Sequence, residues 1–228
     1  MKKLLLWTMP VLIVAVVAYV WARGSRVDLG EMPTGTQFFV AADGSAEGDG
    51  SLARPWDFRT ALLQPPAVKP GDVINVRAGT YLATKNEYFH SKLIGAAGKP
   101  ILVQPFSGDH VIIAGGIEID GSWVIFRDFE VTSDDLDRLS LQPTSFPTDV
   151  LQFVGFNVFA SNVKVINNIV HDNSAGIDAW AEAPDNEFYG NLIYYNGWQQ
   201  ALDGKMHGHG HGLYMQNISG FKNIEDNI

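Results

Sequence analysis

The chain has 228 residues, of which 46% are hydrophobic and only 18% charged, with a net charge of −9 at pH 7 and 23 glycines. That is enough apolar material for one domain with a substantial core, and its low charge and many glycines point to a β-rich, turn-rich chain. After residue 26, twelve Lys and Arg face twenty-five Asp and Glu, which excludes nucleic acid and an anionic membrane surface as partners; with no cysteine, a disulfide framework and a lipid-modified cysteine anchor are excluded too.

Lys2 and Lys3 precede an apolar run from Leu4 to Ala22, and Arg23 and Arg26 follow it. Residues 1–26 therefore read as a signal peptide or an uncleaved signal anchor: the run is long for a secretory h-region and close to the ~20 residues that span a bilayer. Either way the remainder is expected outside the cytoplasm, extracellular, periplasmic or membrane-anchored, with contact to the membrane only through this segment. Residues 27–36 read as a linker containing Pro33, Thr34 and Gly35.

The domain itself is expected over 37–228. It opens with a strand at Phe38 to Val40, a Gly/Asp-rich loop, a short helix near Trp56 to Leu63 stopped by Pro65-Pro66, and a strand from Val73 to Arg77. Beyond this there is no helical periodicity. Short apolar runs such as "HVIIAGG", "IEIDG", "WVIFRDFEV", "NVKVINNIV" and "EFYGNLIYYN" are separated by Gly, Asn and Asp, which suggests a repeat. A polar–apolar marker recurs at Asp128-Phe129, Asn168-Ile169, Asn191-Leu192 and Asn227-Ile228, and extends back to Pro105 and Ala78, with spacings of 27, 23, 40, 23 and 36. A unit of about 23 residues fits if the two long intervals carry loops, Ser133 to Asp149 and Gln199 to Gly210, which leave the repeat at the same phase and so map to one face. Coils of this length with three short strands suit a parallel solenoid, in which Asn168, Asn191 and Asn227 would stack as a ladder of side-chain amides.

These segments carry a resemblance. "FFVAADGS", "GSLARPWDFRTALL" and "PGDVINVRAGTY" resemble the opening of right-handed parallel β-helix proteins of the pectate-lyase-like superfamily, and "NVKVINNIVHDN", "NEFYGNLIYYNG" and "HGHGLYMQN" resemble their internal coils. The resemblance spans roughly residues 37–228 and implies an all-β, right-handed parallel β-helix. It also implies that the chain stops before a terminal cap, since "KNIEDNI" opens a strand without closing it. Because this scaffold carries lyases, hydrolases, epimerases and non-catalytic proteins, function has to come from the site.

The site is expected in the second insertion. His207, His209 and His211 alternate with glycine, so on one extended strand all three share a face; they suit metal ligation, acid–base work tuned by Lys205 or Asp203, or a purely structural glycine-hinged return. "NSAGID" (Asn173 to Asp178) and "GHGL" (Gly210 to Leu213) resemble the first and last elements of polygalacturonase-type hydrolases, but the central Asp pair of that family is missing. A polysaccharide lyase or related epimerase is therefore the leading expectation, with Lys205, His207, His209, His211, Asp178, Asp203 and Tyr214 as catalytic residues. A non-catalytic glycan-binding or structural β-helix is the alternative, and a hydrolase comes last. Trp180, Tyr195 and Trp198 are expected to stack on sugar rings. Asp134, Asp135 and Asp137 could hold Ca²⁺. The expected partner is a polysaccharide met by a monomer.

Overall fold

The computed structural model describes residues 33–83, 87–133, 135, 137–150 and 153–228; the apolar segment within residues 1–26 and Asp134 lie outside these. Among the described residues no helix is long and apolar enough to cross a membrane.

Three parallel sheets run along the domain, of seven, five and five strands; each of the five complete coils contributes one strand to each, and the first and last strands belong to the first sheet alone. The first sheet stacks Gln37–Val40, Val73–Val76, Ile101–Pro105, Val124–Arg127, Val163–Ile166, Asn186–Tyr189 and Lys222–Glu225. The second stacks Gly79–Leu82, Val111–Ala114, Glu130–Thr132, Ile169–His171 and Leu192–Tyr194. The third stacks Phe89–Ser91, Ile117–Ile119, Val154–Val158, Ala175–Ala179 and Leu213–Met215. This is the β-helix expected from the repeat.

Strands three to five residues long cannot bury a face alone, so the core forms as stacks down the axis. Val103, Phe126, Val165, Phe188 and Ile224 align in the first sheet. Phe89, Ile117, Phe156, Ile177 and Leu213 align opposite them in the third. Phe126 and Phe156 meet across the core, with ring centroids 6.1 Å apart. Near the start of the stack the helix Phe58–Leu62, capped by the Asp57 carboxylate accepting from the Thr60 N–H, lays Phe58 on Tyr81 and Phe89. It is shorter at both ends than the expected Trp56 to Leu63, because Trp56 pairs as an isolated bridge with Val40 and Leu63 is the cap.

The turn between the first and second sheets explains the marker. Asp128, Asn167, Gly190 and Asp226 all have positive φ there, a conformation that Asn, Asp and Gly tolerate best. The next residue forms the ladder. The Asn168 side-chain oxygen accepts from the Phe129 N–H at 3.0 Å, that of Asn191 from the Asn168 N–H at 3.0 Å, and that of Asn227 from the Asn191 N–H at 3.0 Å. The expected phase slips by one residue at its start, since Asn168 lies over Phe129 and Asp128 over Asn167, making this step 39 residues rather than 40. At the first step Val76 pairs with Pro105, so the advance is 29 residues and not 27. Asn186 ties the turn before the first sheet in the same way, accepting from the Val163 N–H at 2.7 Å.

The two long insertions leave the repeat between the second and third sheets, as their common phase required, and they build one small sheet. Leu139–Ser140 of the first insertion pairs with Gln199–Gln200 of the second, whose strand Trp198–Leu202 folds back antiparallel on Lys205–His209. Arg138 joins them: it pairs with Asp172 and donates to the carbonyl oxygens of Tyr195 and Gly197.

Candidate functional site

Four coils repeat a glycine–apolar–polar–apolar motif in the third sheet: Gly116-Ile-Glu-Ile119, Gly155-Phe-Asn-Val158, Gly176-Ile-Asp-Ala179 and Gly212-Leu-Tyr-Met215. In the first three coils the glycine is required by close approach: a Cβ on Gly176, for example, would sit 2.3 Å from the Gly212 carbonyl oxygen. The apolar residues point inward, and by the two-residue alternation of a strand the polar one points out. Register then aligns His90, Glu118, Asn157, Asp178 and Tyr214 as a row on the solvent side, each about 4.8 Å from the next.

Asp178 is the unusual member. It is only 8% exposed, and its Oδ1 has no hydrogen-bond partner among the described residues. Burial pushes its carboxyl up to about 6, while the positive charge of His211 pulls the other way. Aromatic rings surround it. Trp180 stacks on Phe159 with centroids 5.7 Å apart and meets Tyr214 edge-on at 5.8 Å; Tyr214 stacks on His211 at 5.1 Å. The Trp180 indole N–H donates to Asn157 Oδ1 at 2.7 Å, and Gln216 donates to the Tyr214 hydroxyl at 2.6 Å, so both rings are held in place. Behind the row the Tyr88 hydroxyl accepts from the Val154 N–H, and burial raises its pKa.

The histidine trio does not share one face. His207 and His209 lie opposite Gln200 and Trp198 in the hairpin, on the side that also carries Lys205. Gly210 then turns at φ +93°, where a Cβ would fall 2.1 Å from the Ser174 carbonyl oxygen, so the chain presses against the preceding coil and leaves the hairpin. His211 is thereby separated from its neighbours and placed beside Asp178 and Tyr214. Asp203 and Gly204, both at positive φ, close the hairpin as its two-residue turn. Lys205 stands next to that turn, opposite Leu202 and roughly 13 Å along the strand from His209.

Among the aromatic platforms, Trp180 belongs to the row. Trp198 has one face covered by His209, the rings stacked at 4.0 Å, and His209 also contacts the Gln200 side-chain oxygen at 3.1 Å. Tyr195, 77% exposed, sits at a positive-φ corner with its ring edge on Tyr194.

Of the expected calcium ligands, Asp135 uses its carboxylate to accept from the Asp137 N–H at 2.9 Å, a local turn. The cleft beside them is also lined by Arg138 and Asp172, which pair with each other. The described donors that do converge are His90, Glu118 and Asp120, whose ligand atoms lie within 4.8 Å of one another. The sequence reading missed these together with Asn157 and Phe159. The signal that finds them is the motif phase, because "GIEI" and "GFNV" precede "GIDA" in the same register.

No family model matches the sequence, and no curated protein matches it. Solved structures do. A lacto-N-biosidase of family GH136 from Eubacterium ramulus superposes with a TM-score of 0.55 at 14% identity, over 85% of this chain and 41% of its own. A rhamnogalacturonan lyase gives 0.46 at 14%, over 81% and 63%, and pectate lyase Pel9A 0.46 at 18%, over 72% and 48%. The fold is a right-handed parallel β-helix. The chain spans between 41% and 63% of the length of these β-helix neighbours, and at such identity the likeness concerns the fold alone.

Proposed function

We propose that this β-helix hydrolyses a glycosidic bond on the outer face of its third sheet, outside the cytoplasm: Asp178 gives its proton to the departing sugar oxygen while a water molecule adds to the anomeric carbon and releases a proton to solvent. The observation that carries this is the buried Asp178 carboxyl, whose Oδ1 has no hydrogen-bond partner among the described residues and whose pKa is raised to about 6. A carboxyl that holds its proton up to about pH 6 has the property of a general acid, and such groups concentrate at active sites. Trp180 and Tyr214 supply rigid aromatic faces beside it, as sugar-binding sites require. The lacto-N-biosidase that shares the fold agrees with this reading.

Hydrolysis is better supported than elimination. Elimination from a uronic acid needs a cation to neutralise the carboxylate as well as a base and an acid; of the residues expected to supply these, Lys205 and His209 lie on the hairpin, with Lys205 at its far end, whereas His211 and Tyr214 stand beside Asp178. The acidic balance of the chain after residue 26 also favours a neutral glycan over a polyanion.

The test is an assay of the full chain on a panel of neutral and acidic polysaccharides, reading reducing ends and unsaturated products separately, with Asp178→Asn alongside. New reducing ends without unsaturation, reduced about 10²–10⁴-fold in the variant, are expected. Unsaturated product would make the chain a lyase instead. Undiminished cleavage by a folded Asp178→Asn variant would remove the proposed proton donor, and silence of the wild type on the whole panel would favour a glycan-binding or structural role.

A further inference from the structure

We propose that His90, Glu118 and Asp120 form a binding site for a divalent transition-metal ion, two strands along the row from Asp178. This assignment does not depend on the catalytic reading of Asp178.

The geometry is set by backbone. His90 and Glu118 are register partners on adjacent strands, and Asp120 follows two residues later, its N–H donating to the Ser91 carbonyl oxygen at 3.0 Å. Gly121 holds the chain tightly there, since a Cβ would lie 2.0 Å from the Leu93 carbonyl oxygen. One imidazole nitrogen and two carboxylate oxygens thus converge within 4.8 Å from strands that cannot drift apart.

The supporting groups are those of an oriented ligand set. Glu118 Oε2 accepts from the Asn157 side-chain N–H at 3.4 Å, which turns Oε1 to face His90 Nδ1 at 3.1 Å. Asn157 is fixed in turn by the Trp180 indole, and the His90 ring lies edge-on to Tyr88 at 6.5 Å. Such outer contacts typically orient metal ligands and tune their affinity. Lys92 pairs its ammonium with Asp120, so one of the three ligands already holds a cation that a metal ion would have to replace.

The donor set selects the ion. Calcium and magnesium prefer all-oxygen shells, whereas one imidazole with two carboxylates suits zinc, manganese, iron or cobalt. Three protein ligands leave coordination positions open to water or to a hydroxyl of a bound molecule.

The lysine provides the sharpest test, because the metal must displace it from Asp120. Titration calorimetry of the full chain with Zn²⁺, and separately with Mn²⁺ and Ca²⁺, would be compared for wild type, His90→Ala, Lys92→Met and a His207→Ala/His209→Ala double variant. We expect a single Zn²⁺ site, weakened at least about tenfold in His90→Ala, tightened several-fold in Lys92→Met and unchanged in the double variant, with Ca²⁺ binding far more weakly. Equal Zn²⁺ affinity in wild type and His90→Ala would overturn the site, as would loss of binding in the hairpin double variant or a preference for Ca²⁺. Should His90→Ala unfold, a Lys92→Met variant that binds no more tightly than wild type would overturn it as well.

Discussion

Asp178 couples the proposed chemistry to the energetics of the fold. Its carboxyl has an ordinary value of 3.8 and rises to about 6 in the folded protein because burial disfavours the charge. The fold therefore favours the protonated form. The stability this contributes is complete below about pH 4 and is lost as the pH rises through 6, so above pH 6 the ionised Asp178 is a burden. Asp178→Asn should consequently stabilise the protein by about 3 kcal/mol at pH 8 and by almost nothing at pH 4. Thermal melts at the two pH values check this, and a variant no more stable at pH 8 than wild type would show that the carboxyl is solvated. In the wild type the same titration predicts cleavage that declines above about pH 6, as the acid loses its proton. At this scale the sequence was partly legible. The resemblance of "NSAGID" and "GHGL" to hydrolase elements pointed to Asp178 and His211, and the structure sets the two side by side. Glu118 and His90 were not found, because each lies one or more coils earlier and only the register of the third sheet brings them into the row.

Elements in this molecule succeed or fail by their turns. Asn168 is 1% exposed and satisfies the Phe129 N–H while its amide donates to the Phe126 and Ile166 carbonyl oxygens. Asn168→Ala would leave those groups buried without partners, at about 1–3 kcal/mol each. The expected outcome is a loss of several kcal/mol in denaturant unfolding, a larger effect than a surface substitution produces. The hairpin should behave as a separate unit. Gly204→Val places a β-branched residue at φ +73° in its two-residue turn, so amide exchange should quicken over residues 198–209 while the ladder amides stay protected. The Asn ladder and the common phase of the two insertions could be read from sequence, since both depend on period alone. The one-residue slip at Asp128 could not, because an aspartate with positive φ mimics the asparagine that follows at the next position in later coils. For the histidine trio the sequence left a shared face and a glycine-hinged return both open, because alternation predicts one face only while the strand continues, and Gly210 ends it.

For the whole molecule, the fold divides the surface by sheet, and the third sheet presents the row His90, Glu118, Asn157, Asp178 and Tyr214 beside the wall made by the two insertions. The β-helix itself was legible because short apolar runs, turn residues and a near-constant period all specify it. The choice of face depends on which polar residues the register aligns, and that emerges only when coils stack. A glycan following the row would run along the helix axis, across strands about 4.8 Å apart, passing Asp178 before the His90–Glu118–Asp120 cluster. The most direct measurement is a crystal structure of the Asp178→Asn variant with an oligosaccharide drawn from whichever polysaccharide the assay identifies. The account predicts the sugar chain lying along the third sheet against Trp180 and Tyr214, with a glycosidic oxygen within about 3 Å of the residue-178 side chain. A sugar chain seated on the Lys205–His209 hairpin, or on either of the other two sheets, would contradict it.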